Sequence, residues 1–163
     1  MDTTGIRKEL VEYITSGIVP LYAGFDPAHR EDHAEAVMEN SLKLYRTAPE
    51  AVKAGIDPEI LFTAAACHDI GRINGKEKHH VDSGKMIRAD MTFRKWFDEA
   101  GIELIAQAAG RSGQCESRGN GCILPAYSPS LFRFLVKYIM MQSTRKSASV
   151  PMSRLPDSIV SRR

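Results

Sequence analysis

Between residues 57 and 71 the chain reads Asp-Pro-Glu-Ile-Leu-Phe-Thr-Ala-Ala-Ala-Cys-His-Asp-Ile-Gly. Asp57 is a helix cap and Pro58 suits the first turn, where its missing N–H is not needed. The helix they open, Glu59–His68, has almost no polar face, because Ile60, Leu61, Phe62, Ala64, Ala65, Ala66 and Cys67 leave no room for one. A helix that is apolar all round belongs at the centre of a domain, with other helices packed about it. Its polar residues, His68 and Asp69, arrive only where it ends, and Gly71 reads as its terminator.

The flanking segments read as the surrounding helices. Ile6, Leu10, Val11, Ile14 and Ile18 form a helical stripe over residues 4–18, with Thr3 or Thr4 as N-cap and Pro20 beyond the end. Asp26-Pro27 repeats the cap-plus-proline signal and predicts a helix to about Arg46, on which His33, Val37, Asn40 and Leu44 share a face. A short helix over Pro49–Lys53 ends at Gly55. Another runs from about His80 to Ala89. A further one begins near Thr92 as N-cap with Trp96 and Phe97 as anchors, and Gly101 punctuates it before Ile102, Leu104, Ile105 and Ala108. No strand alternation appears before residue 109, so the expected fold class is all-α.

The 163 residues, 43% hydrophobic and 26% charged, suit one soluble globular domain and exclude a wholly disordered chain. The net charge of +2 conceals a break. Residues 1–109 hold 18 acids and 13 bases, net −5; residues 110–163 hold 2 acids and 9 bases, net +7. All five His precede the break and ten of the thirteen Ser follow it. The expected organisation is a helical domain over 1–109 and an atypical basic, Ser-rich region over 110–163, irregular or poorly ordered apart from Leu131–Gln142, which reads either as one amphipathic helix or as a short apolar run. Near-neutral charge argues against a nucleic-acid partner, since only the last third is basic and it lacks aromatic interleaving. The odd set Cys67, Cys115 and Cys122 fits a reducing compartment rather than a disulfide framework. The N-terminus has no apolar leader core, and no stretch reaches membrane-spanning length, so the expected location is the cytoplasm.

The chemistry gathers at His33, His68-Asp69 and His79-His80. Burying an unpaired carboxylate is costly, and a bound cation is one way to make it favourable. Imidazole with carboxylate suits Zn, Mn, Fe or Ni rather than Ca. On the residues alone two readings stand: a metal site, or a hydrogen-bonded core His33 with Asp69 as a turn residue. Arg72, Lys76, Lys78 and Lys85 surround these elements either as a solvated rim or, for Arg72 and Lys76, as partners of a substrate phosphate. Cys67 reads as a small core residue rather than a nucleophile.

Three stretches carry a resemblance. They are Tyr22-Ala23-Gly24-Phe25-Asp26-Pro27-Ala28-His29 with His33; Ala64-Ala65-Ala66-Cys67-His68-Asp69-Ile70-Gly71; and His79-His80-Val81-Asp82-Ser83-Gly84-Lys85-Met86-Ile87. Over residues 20–109 the chain resembles small bacterial predicted hydrolases of the HD-domain superfamily of metal-dependent phosphohydrolases. The resemblance implies an HD-like helical bundle in which His33, His68 and Asp69 ligate a divalent metal ion (Mn, Fe, Zn, Ni or Mg). It further implies hydrolysis of a small phosphate ester such as a nucleotide, with Asp69, His79 and His80 at the catalytic centre. It also implies a later helical Asp as the last ligand. Here Ala109 is followed by Gly110-Arg111-Ser112-Gly113, and the only later carboxylates are Glu116 and Asp157. A catalytically inactive HD-like chain and a binding module using the basic tail are therefore the alternative functions.

The simultaneous loss of resemblance, helical period and acidic residues suggests that the chain from about residue 110 is read out of its ancestral frame. The gene's nucleotide sequence checks this. An alternative frame past codon 109 is expected to encode a helical, acid-containing continuation with the missing Asp; two frames without one sink the idea.

Overall fold

In a computed structural model that describes residues 1–110, the chain is all-helical. The Leu131–Gln142 segment, the Ser-rich tail, Cys115 and Cys122 lie outside the described residues. Six α-helices are described: α1 (Lys8–Tyr13), α2 (Glu31–Thr47), α3 (Glu50–Lys53), α4 (Pro58–Cys67), α5 (His79–Ala89) and α6 (Glu99–Gly110). Among the described residues no helix is long and apolar enough to cross a membrane.

α4 is the axis. Asp57 Oδ1 accepts the Glu59 amide at 2.8 Å, and every residue from Ile60 to Gly71 is buried. Against it α2 lays Ala34, Val37, Met38, Ser41 and Leu42. Asn40, expected on that face, is exposed and Ser41 takes the place. A buried Ser is tolerated there because its hydroxyl donates back to the Val37 carbonyl at 2.7 Å. Asp26 and Pro27 stand before α2 rather than in its first turn. Asp26 Oδ1 instead accepts from the Ala28 amide at 3.2 Å and lies 2.7 Å from His29 Nδ1.

The first predicted helix is three pieces. α1 continues into one π-turn, Ile14–Ile18, in which the Val19 N–H reaches the Ile14 carbonyl, and then into a 3₁₀ turn, Val19–Gly24. Leu10, Ile14, Ile18 and Tyr22 are buried in sequence along it. Neither Thr3 nor Thr4 caps α1. Glu59, at the start of α4, accepts the Arg7 amide at 2.7 Å and also holds the Arg7 guanidinium, a cap contributed from 52 residues away.

At the other end, Met91–Lys95 forms a 3₁₀ turn capped by Asp90, whose side chain accepts the Thr92 amide. Thr92 is thus capped rather than capping. Phe93 and Phe97 are core and Trp96 packs against it. α6 starts at Glu99 and runs through Gly101, whose amide donates to Asp98 Oδ1 at 2.8 Å. α5 packs closely on α6 at Gly84, where a Cβ would come within 3.2 Å of the Ala106 carbonyl oxygen.

Gly71 does not end a helix. It lies inside the 3₁₀ turn Ile70–Asn74, pressed onto the first turn of α5. A Cβ there would sit far inside contact distance of the His79 carbonyl oxygen and the Ser83 amide nitrogen, both backbone atoms that cannot swing away. Gly71→Ala is expected to destabilise the protein by about 3 kcal/mol or more. Urea unfolding measures this; a loss below about 1 kcal/mol would show that α5 is free to move off the turn.

Candidate metal centre

α4 leaves its last carbonyls and the following amides in the core, where unpaired backbone groups are costly. Three side chains answer them. The fully buried Tyr22 hydroxyl donates to the Ala66 carbonyl at 2.8 Å and accepts the Asp69 amide at 3.2 Å. Ser83, also fully buried, donates to the His68 carbonyl at 3.1 Å and accepts the Gly71 amide at 2.9 Å. His68 Nδ1 lies 2.7 Å from the Ala65 carbonyl. Burial holds the Tyr22 phenol well above its usual pKa, so it stays protonated and able to donate.

A carbonyl can only accept, so the proton of neutral His68 sits on Nδ1 and the Nε2 lone pair is bare. That lone pair faces His33 Nε2 at 3.1 Å and Asp69 Oδ2 at 3.5 Å. His33, His68 and Asp69 thereby form a group of three potential ligands whose donor atoms all lie within 4.8 Å of one another. The spacing fits a small divalent ion, since metal–nitrogen bonds near 2.1 Å place tetrahedral ligands about 3.4 Å apart. Two imidazoles and a carboxylate, each buried or half-buried, are a borderline donor set suited to Zn, Mn, Fe or Ni.

The remaining residues form a rim. His79, the first residue of α5, spends Nδ1 on the Lys76 carbonyl at 2.6 Å and presents Nε2 3.4 Å from Asp69 Oδ1. His80 makes a perpendicular ring contact with His79, centroids 5.5 Å apart, and stands one helical step further round. Arg72 donates from Nε to Asp69 Oδ2 at 3.3 Å. Lys76 is extended into solvent and reaches within 3.5 Å of Asp26 Oδ2. Lys78 and Lys85 are exposed, and Lys85 pairs with Asp82 on its own helix. Cys67 is fully buried, and burial pushes its thiol pKa up, which leaves it a core residue with no nucleophilic character.

The profile of the HD domain matches residues 30–125. The chain belongs to the HD-domain family. The match includes His33, His68, Asp69 and the His-His element, and covers more than half of the chain. No curated protein and no solved structure matches it. Beside this HD match the structure brings two residues to the site to which the sequence assigned no role of their own. Asp26 and His29 lie just before the matched segment, and the His29 ring stands 5.5 Å from that of His33. Their signal is the i,i+3 spacing in Asp26-Pro27-Ala28-His29, which sequence reading took for a helix start.

Burial, reinforced by the neighbouring His68, lowers the His33 pKa from 6.5 to about 4, and burial lowers that of His68 as well. Both imidazoles are therefore neutral, as ligands must be, at and below neutral pH. The unfolded chain takes up these protons near 6.5, the folded one only near 4 for His33, so the unfolded state binds more protons across that interval. Stability must fall as pH falls through it. Metal-stripped protein is expected to lose urea midpoint from pH 7 to about 4.5, and the loss should shrink in His33→Gln. A midpoint that does not move would disprove the burial of neutral imidazoles.

Proposed function

We propose that this HD domain is a divalent-metal-dependent phosphohydrolase acting on a small phosphate ester, with nucleotides as the leading substrate class. The observation that carries the reading is the convergence of His33 Nε2, His68 Nε2 and the Asp69 carboxylate, with the His68 lone pair aimed inward by its bond to the Ala65 carbonyl.

His33, His68 and Asp69 would hold the ion. A divalent cation supplies Lewis acidity toward a phosphoryl oxygen and an activated water for attack at phosphorus. Around it, this chain's own groups orient the substrate. His79 presents Nε2 on the open side of Asp69, with His80 beside it, and these two would steady the ester or take up charge on the leaving oxygen. Lys76, with most of its side chain in solvent, would meet phosphate oxygens as a point charge. His68 and Asp69 are themselves buried, 4% and 6% exposed, and polar interactions are stronger where water is excluded.

The alternative, a chain that keeps the HD core without catalysis, draws on one observation: only Glu116 and Asp157 follow residue 109 as carboxylates. Purified full-length protein distinguishes the two. Wild type is expected to retain metal that His68→Ala loses, and to hydrolyse nucleoside monophosphates or p-nitrophenyl phosphate with Mn, Mg, Zn, Fe or Ni. Asp69→Ala should reduce that rate by about 100-fold or more. Equal metal content in wild type and His68→Ala would remove the ligand assignment, whereas metal retention without turnover supports the non-catalytic alternative.

A further inference from the structure

We infer that Arg72 is a positioning residue, which joins the Asp26–His29 pair to Asp69 and so holds the carboxylate in place for the metal ion; this rests on the metal reading above. The guanidinium is spanned on all three of its nitrogens. Nε donates to Asp69 Oδ2 at 3.3 Å, Nη1 to Asp26 Oδ2 at 3.5 Å and Nη2 to His29 Nε2 at 2.8 Å. Arg can only donate, so His29 Nε2 accepts, and the proton of neutral His29 lies on Nδ1, donated to Asp26 Oδ1 at 2.7 Å. Asp26, His29, Arg72 and Asp69 thus form one chain of bonds from the loop before α2 to the carboxylate after α4.

Two features separate this role from phosphate binding. The Arg72 side chain is 11% exposed, against 74% for Lys76, so an incoming phosphate meets the lysine while the arginine is covered. Each of its nitrogens already has an acceptor, and a phosphate would have to displace one. A cation beside a ligand carboxylate would by charge alone oppose a metal ion. Asp26 on the far edge of the guanidinium offsets that charge, and direction is what the fork contributes.

The test is a cycle of Arg72→Ala, His29→Ala and the double variant in the full chain. Its two readouts are Zn affinity, by competition with a chromophoric chelator, and KM for p-nitrophenyl phosphate at saturating metal. Arg72→Ala is expected to weaken Zn binding by about 10-fold to 100-fold. His29→Ala should weaken it less, and the double variant no more than Arg72→Ala, because both act through one bond chain. Arg72→Lys should stay defective, since an ammonium cannot span three acceptors. Unchanged Zn affinity with a raised KM would overturn the inference in favour of phosphate binding; so would losses that multiply, or full rescue by lysine. If Arg72→Ala does not fold, Asp26→Asn carries the same expectation at a more exposed position. Equal Zn affinity in His68→Ala and wild type would instead remove the site itself, and with it the role of Arg72.

Discussion

An apolar helix that ends inside a protein leaves backbone carbonyls and amides with nowhere to go, and the rest of this fold follows from where they are sent. At the end of α4 the Ala65, Ala66 and His68 carbonyls and the Asp69 and Gly71 amides are met by the His68 ring, the Tyr22 hydroxyl and the Ser83 hydroxyl. Each bond contributes about 1 kcal/mol net, but an unmet group in the core would cost about 1 to 3 kcal/mol. The two hydroxyls come from elements far apart in the chain, one from the turns after α1 and one from α5. Satisfying the helix end therefore fixes three elements relative to one another.

The same bonds decide what the site can do. Had the His68 Nδ1 proton no carbonyl to meet, the ring would be free to flip and its Nε2 lone pair would have no set direction. With it, the lone pair, the His33 ring and the Asp69 carboxylate are presented together in a partly dehydrated niche. Backbone accounting and ligand geometry are one problem here, solved by the same atoms.

How much of this a reader could take from the sequence depends on whether the cause is local. The start and the burial of α4 were legible, because Asp57-Pro58 and seven apolar residues act within one helix. His33, His68 and Asp69 were legible as a set through the family pattern. The cap of α1 was not, since Glu59 provides it from another helix, and the Thr residues beside it were the only local candidates. Gly71 was misread for a related reason: its spacing from His68 suggests a helix end, while the need for glycine comes from the backbone of α5 pressed against it. Asp26 and His29 carry a spacing that serves equally as a helix start. Only the arrival of Arg72 between them and Asp69 distinguishes the two.

The π-turn at Ile14–Ile18 gives this arrangement an unusual dependence on residue count. A turn closed from Val19 back to Ile14 holds one residue more than an ordinary helical turn. Removing a single residue there would close it as an ordinary helical turn and leave Tyr22 in phase, whereas a second extra residue would have no such turn to absorb it and would rotate Tyr22 by about 100° around the axis. The hydroxyl would then leave the Asp69 amide, 47 positions along the chain. A substitution in this stretch is answered by local packing, but a further inserted residue would reach Asp69, one of the candidate metal ligands, through its amide. The tolerance of α1 to change is thus set by length before it is set by hydrophobicity.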